Sequence, residues 1–141
     1  DIVNPFRTRW LELNPQPETV KSLSRYVYMD GQEVFKFAVK RVPESIGQLL
    51  DKAGLTVADI DHFVLHQANY RIIEAVARRL KVDMDKFILN MDRYGNTSAA
   101  SVAIALDELM RSGSVHSGDY LVLSGFGGGL TWGSLLIKMV M

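Results

Sequence analysis

The chain contains no cysteine. That excludes disulfides, and it excludes a cysteine nucleophile within these residues. There is no excess of either charge, with 16 basic and 16 acidic residues, so the basic surplus of a nucleic-acid binder is missing. Apolar runs are short, and none approaches the ~20 residues of a membrane-spanning helix. No N-terminal segment reads as a signal peptide, and a start at Asp1 fits a processed or cut end. A Gly-x-Ser-x-Gly elbow is lacking, which argues against a stand-alone serine hydrolase. His66 has no second histidine or carboxylate at ligand spacing, so no metal is expected. His62 and His116 read as surface residues. Proline is scarce and uneven: three of the four, Pro5, Pro15 and Pro17, fall in the first 17 residues.

What remains is an ordinary globular composition over 141 residues, enough for one domain with a real core. Residues 1–29 read as a poorly patterned N-terminal segment, compatible with being part of the same half, in which Arg25–Met29 alternates like a short strand. Residues 30–141 read as the folded unit, opening on the turn signal Asp30-Gly31. Apolar residues at helical spacing mark Gln32 to Ala53, with Pro43 predicting a kink or two abutting helices, and Gly54 as the stop. Thr56 to Asp59 is patterned as a capping box. Strands are expected at Ile60–Leu65, Phe87–Leu89, Tyr120–Ser124 and Leu130–Met141. Helices are expected at Asn69–Leu80, with Ile72, Ile73, Val76, Ala77 and Leu80 inward, and at Ser98–Arg111, with a helical turn at Met84–Lys86. The small residues opening the last helix suit close packing against another backbone. Strands separated by helices should be parallel, and the last two, joined by a glycine-rich turn, antiparallel. The class is α/β with a mixed sheet.

Two polar turns stand out. Leu65-His66-Gln67-Ala68-Asn69 lies between a buried strand and an amphipathic helix, and Tyr94-Gly95-Asn96-Thr97-Ser98 has the same setting. Ligands bind at such strand ends in α/β sheets. One turn offers an imidazole and the other a carboxamide, which suggests a single site. From pattern alone, a satisfied core histidine and an ordinary turn asparagine account for them equally well. Asn69 is a natural N-cap. Gly127-Gly128-Gly129 suits a tight strand connection, and it is weak as a phosphate loop because no Lys-Ser/Thr follows. Arg71, Arg78 and Arg79 fit a solvated helix face.

His66-Gln67-Ala68-Asn69, then Gly95-Asn96-Thr97-Ser98-Ala99-Ala100-Ser101, then Gly125-Phe126-Gly127-Gly128-Gly129 with Thr131-Trp132-Gly133 occur in that order. Together they resemble the C-terminal half of β-ketoacyl-acyl carrier protein synthase III, a condensing enzyme of the thiolase superfamily. The resemblance runs from about Tyr28 onward. It implies the C-terminal half of a thiolase-like fold, lacking its first strand. It implies catalytic roles for His66 and Asn96, an oxyanion-hole amide at Gly128, and positioning by Gln67, Ala68, Asn69 and Phe126. It places acyl carrier protein docking on Arg71, Arg78 and Arg79. It implies no cofactor beyond the substrates acyl-CoA and malonyl-acyl carrier protein, a cytoplasmic location, and a homodimer. The nucleophilic cysteine would sit in an N-terminal half that this chain does not include, so the chain alone should not complete the reaction.

Two other functions keep the same motifs: a related condensing enzyme of secondary metabolism, and a non-catalytic fragment or scaffold. A half of a two-half fold should also expose the apolar face that meets its twin. The helix from Ser98 is the candidate for that face.

Overall fold

The computed structural model describes residues 29–140. Of the expected segment 1–29, all but Met29 lies outside the described residues, the rest of the expected strand Arg25–Met29 with it. Asp30 and Gly31 do not form a free turn. Asp30 caps helix α1 (Gly31–Ala53), its Oδ1 accepting the N–H groups of Gln32 and Glu33 at 3.0 and 3.1 Å. Ala38, Val42, Ile46 and Leu50, four apart, form its buried stripe. α1 runs as one helix through Pro43, so of the two expected outcomes, a kink or two abutting helices, the second is not what forms. Proline lacks the N–H that would reach the carbonyl four residues back. Here that carbonyl, on Val39, accepts an N–H from Arg79 Nη1 at 3.5 Å. The Thr56–Asp59 capping box is formed, the Asp59 carboxylate accepting from the Thr56 N–H and hydroxyl at 2.7 Å each.

Strand β1 (His62–Leu65) leads to helix α2 (Tyr70–Leu80), then to a short helix α3 (Met91–Tyr94) and helix α4 (Ser101–Arg111). Strands β2 (Tyr120–Gly127) and β3 (Thr131–Lys138) close the unit. The sheet order is β1-β2-β3. β1 and β2 are parallel, His62 facing Leu121 and Leu65 facing Ser124. β2 and β3 are antiparallel, as their connection predicts. The expected strand Phe87–Leu89 shrinks to a single parallel bridge, Phe87 to Phe63, over which the two rings stack at 4.8 Å. Past that bridge the Gln67 side chain takes the place of a strand partner, as described below. The last helix opens with a 3-10 turn, Ser98–Ala100, ahead of α4.

The period-2 alternation of β1 sorts the core onto two faces. Phe63 and Leu65 join Val42, Ile46, Ile73, Val76 and Val122 beneath α1 and α2. Val64 joins Ala105, Leu109, Val115 and Leu121 beneath α4. Ile72, Ile73, Val76 and Ala77 of α2 are buried as expected, and Leu80 packs on the core partly buried. The second face is thinly covered. Only the stripe Ser101, Ala105, Leu109 of α4 is buried, while Ala99, Ala100 and Ala103 are exposed. On β3, Leu135 remains 56% exposed on this face, whereas Trp132, 47% exposed, lies on the other face against Phe37 and Arg41 of α1.

Candidate active site

Where β1 ends, the His66 N–H still donates to the Ser124 carbonyl at 2.8 Å, so the sheet holds His66 to its last backbone bond. Gln67 then turns inward and is fully buried. Its Nε2 donates to the carbonyls of Leu65 at 2.9 Å and Ile88 at 3.0 Å, and its Oε1 accepts the Asn90 N–H at 3.1 Å. A buried carboxamide satisfied by three backbone groups acts as a cross-link between the histidine turn and the segment leading to Asn96. This explains the truncated strand: the Ile88 carbonyl and Asn90 amide are engaged by a side chain. Ala68 is partly buried against the larger core. Asn69 is exposed and caps α2, its Oδ1 accepting the Arg71 N–H at 2.8 Å.

The His66 ring is half-buried. It meets the Phe126 ring of β2 in a T-shaped contact, 5.1 Å between centroids and 72° between planes. Its Nδ1 is hydrogen-bonded to Ser101 Oγ. Burial lowers its pKa, because a charged imidazolium loses hydration there. Burial thus favours the uncharged ring.

Asn96 lies on the exposed loop between α3 and α4. Its Oδ1 accepts the Ser98 N–H at 2.9 Å, so what it can offer a ligand is the Nδ2 amino group, a donor. Gly95 before it has φ 65° and ψ −156°, a region essentially restricted to glycine. The loop is tied back by Glu108 of α4. Its carboxylate accepts from Asn90 Nδ2 at 2.8 Å, from the Tyr94 hydroxyl at 3.0 Å, and from the Arg93 guanidinium, the closest contact 2.7 Å. The Asn90 hydrogen bond leads the causes that hold Glu108 below its ordinary pKa, and the bond to Glu108 raises that of Tyr94.

The glycine run departs in part from expectation. Gly129 has φ 82°, which favours glycine, followed by Leu130 at 51°. Gly127 and Gly128 are outside the left-handed region, and a Cβ on either would meet nothing within 4 Å. Within this chain, neither angles nor crowding requires glycine at those two positions. Gly128 is exposed, and its carbonyl accepts the Thr131 hydroxyl at 3.1 Å.

Arg71, Arg78 and Arg79 are all exposed on α2. Arg78 pairs with Glu74 at 3.6 Å, and Arg79 reaches Val39 as described. His116 is exposed and lies 3.7 Å from Asp119. His62 is half-buried instead of fully exposed, with Nε2 3.4 Å from the Ser114 carbonyl. Among the described residues no cluster of three His, Cys, Asp or Glu side chains could hold a metal, and no helix is long and apolar enough to cross a membrane. Ser101 and Glu108 are the site residues that the motifs did not single out. Ser101 had a signal, since it falls four and eight residues before the apolar Ala105 and Leu109 and so puts a hydroxyl on the buried stripe.

The imidazole at the end of a parallel strand, the carboxamide on a later loop and the glycine-rich final hairpin lie on an α/β half whose solved neighbours have the thiolase-like fold. A family model described as 3-oxoacyl-[acyl-carrier-protein] synthase III C terminal matches residues 50–139. Over 121 residues the chain is 51% identical to β-ketoacyl-[acyl-carrier-protein] synthase III of Desulfitobacterium hafniense, covering 86% of this chain and 37% of that protein. The corresponding enzyme of Thermus thermophilus superposes with a TM-score of 0.78 at 46% identity, over 80% of this chain and 35% of that one. The priming β-ketosynthase of the R1128 polyketide pathway superposes with a TM-score of 0.69 at 45% identity, over 79% of this chain and 34% of that one. The chain belongs to the 3-oxoacyl-[acyl-carrier-protein] synthase III C-terminal family. It spans little more than a third of the length of the relatives it matches.

Proposed function

We propose that residues 30–141 are the C-terminal condensing-enzyme domain of a β-ketoacyl-acyl carrier protein synthase III. The complete enzyme would join an acyl group from acyl-CoA to malonyl-acyl carrier protein in the cytoplasm and so start fatty-acid synthesis. The acyl group is held on a cysteine of the N-terminal half. Loss of carbon dioxide from the malonyl group leaves an enolate on its thioester. The enolate carbon attacks the acyl carbonyl, a carbon–carbon bond forms, and the cysteine thiolate leaves. The developing enolate oxygen needs donors that add no second positive charge to hold the carboxylate in place. His66 and Asn96 supply them. The amide of Gly128 serves the acyl oxyanion, and Gln67, Ala68, Asn69 and Phe126 position these groups. Arg71, Arg78 and Arg79 dock the acidic carrier protein, with steering that weakens in salt. The full enzyme is a homodimer and takes no cofactor beyond its thioester substrates.

The observation that carries this reading is the half-buried His66 at the end of β1, its Nδ1 already engaged by Ser101 and its burial disfavouring the charged ring. Its test is release of carbon dioxide from malonyl-acyl carrier protein by the chain assembled with a cysteine-bearing N-terminal half. His66→Ala and Asn96→Ala should each slow condensation on the order of 10²–10³-fold. Full rates in both variants would reduce this chain to a scaffold. A second reading, a priming synthase of secondary metabolism, is favoured by the nearly equal identity to the R1128 enzyme. A panel of acyl-CoA starters separates the two.

A further inference from the structure

We propose that Ser101 is a positioning residue that holds His66 in the tautomer with its proton on Nε2. Ser101 is only 1% exposed, on a stripe shared with Ala105 and Leu109. A hydroxyl there must be hydrogen-bonded to offset its lost hydration. It has one proton to give and two lone pairs. The Gln67 N–H donates to Oγ at 3.2 Å, which occupies one lone pair. The hydroxyl proton then needs an acceptor, and among the described residues the partner found for it is His66 Nδ1. If Nδ1 carried a proton, two donors would point at Oγ and the hydroxyl proton would be left in an apolar stripe without an acceptor. Nδ1 therefore accepts and the ring proton sits on Nε2. The nitrogen set by one partner determines what the other can do. The fixed Gln67 amide orients the serine, and the serine orients the ring. Phe126 packs against that ring in a T-shaped contact.

The catalytic meaning rests on the donor role proposed for His66, since only an Nε2–H tautomer presents a donor on the side away from Ser101. The tautomer itself does not depend on that role, and it is read without substrate. Long-range proton–nitrogen spectra of the ¹⁵N-labelled 141-residue chain report both ring nitrogens of each histidine, with His66→Ala assigning the signals. Neutral His66 should be ~90% or more Nε2–H. Ser101→Ala should convert it to a mixture of tautomers, and Ser101→Thr, which keeps a hydroxyl, should restore the single form. In the assembled enzyme Ser101→Ala should lower kcat about tenfold with little change in KM. A proton on Nδ1 in the wild-type chain overturns the assignment. So does an unchanged tautomer in a folded Ser101→Ala chain. If that variant does not fold, Ser101→Cys carries the same test, because a thiol is a weaker donor and should give a partial mixture. Unchanged activity in His66→Ala would end the donor role and leave the tautomer result standing.

Discussion

The turn after β1 and the loop before α4 carry the two candidate donors, and they are held in different ways. Residues 65–69 are secured from inside: the sheet takes the His66 amide, and the buried Gln67 side chain bonds three backbone groups. Residues 94–98 are secured from one side only. Glu108 grips the approach through Asn90, Arg93 and Tyr94, while Gly95, Asn96 and Ser98 are exposed. Non-glycine Ser98 even holds φ 52°, a conformation that persists only where its surroundings fix it. The histidine turn is complete in this chain. The asparagine loop has a finished inner side and an open outer one, which is what a site shared with a second half would leave.

The contrast can be broken most severely at Gln67. Gln67→Ala strands the buried Leu65 carbonyl, the part-buried Ile88 carbonyl and the buried Asn90 N–H, and should cost about 3 kcal/mol of stability, read as a lowered urea midpoint. A loss below about 1 kcal/mol would show that the carboxamide is not the cross-link described here.

Acid should act on the histidine turn next. Burial places the folded-state pKa of His66 below its ordinary 6.5. The unfolded chain takes up a proton near 6.5, whereas the folded chain waits for a lower pH. Stability is therefore complete above 6.5 and declines as pH falls from there toward the folded value. His66→Ala should remove that part of the decline, and identical pH profiles for the two chains would contradict it.

Glu108 sharpens the comparison from the other side. Glu108→Ala should speed amide exchange at residues 94–98 and leave 65–69 unchanged. Its hydrogen bonds, Asn90 foremost, lower its pKa from 4.5. Its stabilisation is thus present above 4.5 and lost as pH falls through the folded value. Equal protection of both turns in Glu108→Ala would mean that the loop has another anchor.

The smallest effect separates two neighbouring arginines. Arg79→Ala removes the donor to the Val39 carbonyl beside Pro43 and should cost about 0.5 kcal/mol, whereas Arg78→Ala loses only an exposed pair and should be near neutral. Salt-dependent carrier-protein binding, measured on both variants, tests their docking role separately.

The elements themselves were legible because periodicity and caps agree. The buried stripe of α2 with its Asn69 cap, the Thr56 box and the antiparallel final pair all follow from local chemistry. What was hidden depends on partners distant in sequence. Pro43 leaves a kink and a division into two helices equally open, because nothing local shows that Arg79, 36 positions on, meets the orphaned carbonyl. Phe87–Leu89 has the composition of a strand, yet a side chain from Gln67 ends its pairing. Ser101 passed for one small residue among several, since its meaning lies in His66 and not in its neighbours. At Gly127 and Gly128 the rule about backbone angles gave a reason that the chain does not need.

The sheet order also sets a schedule. β2 is the middle strand, hydrogen-bonded on both edges, yet it is made about 60 residues after the β1 strand it pairs with. At about 5–20 residues per second a ribosome needs several seconds to cover that interval. During it β1 has only the single bridge from Phe63 to Phe87 for a parallel partner, and α1 and α2 have no finished sheet to rest on. The non-local pairing that builds the site is thus among the last to form and the slowest to search for. The growing chain should depend on protection from aggregation until β2 arrives.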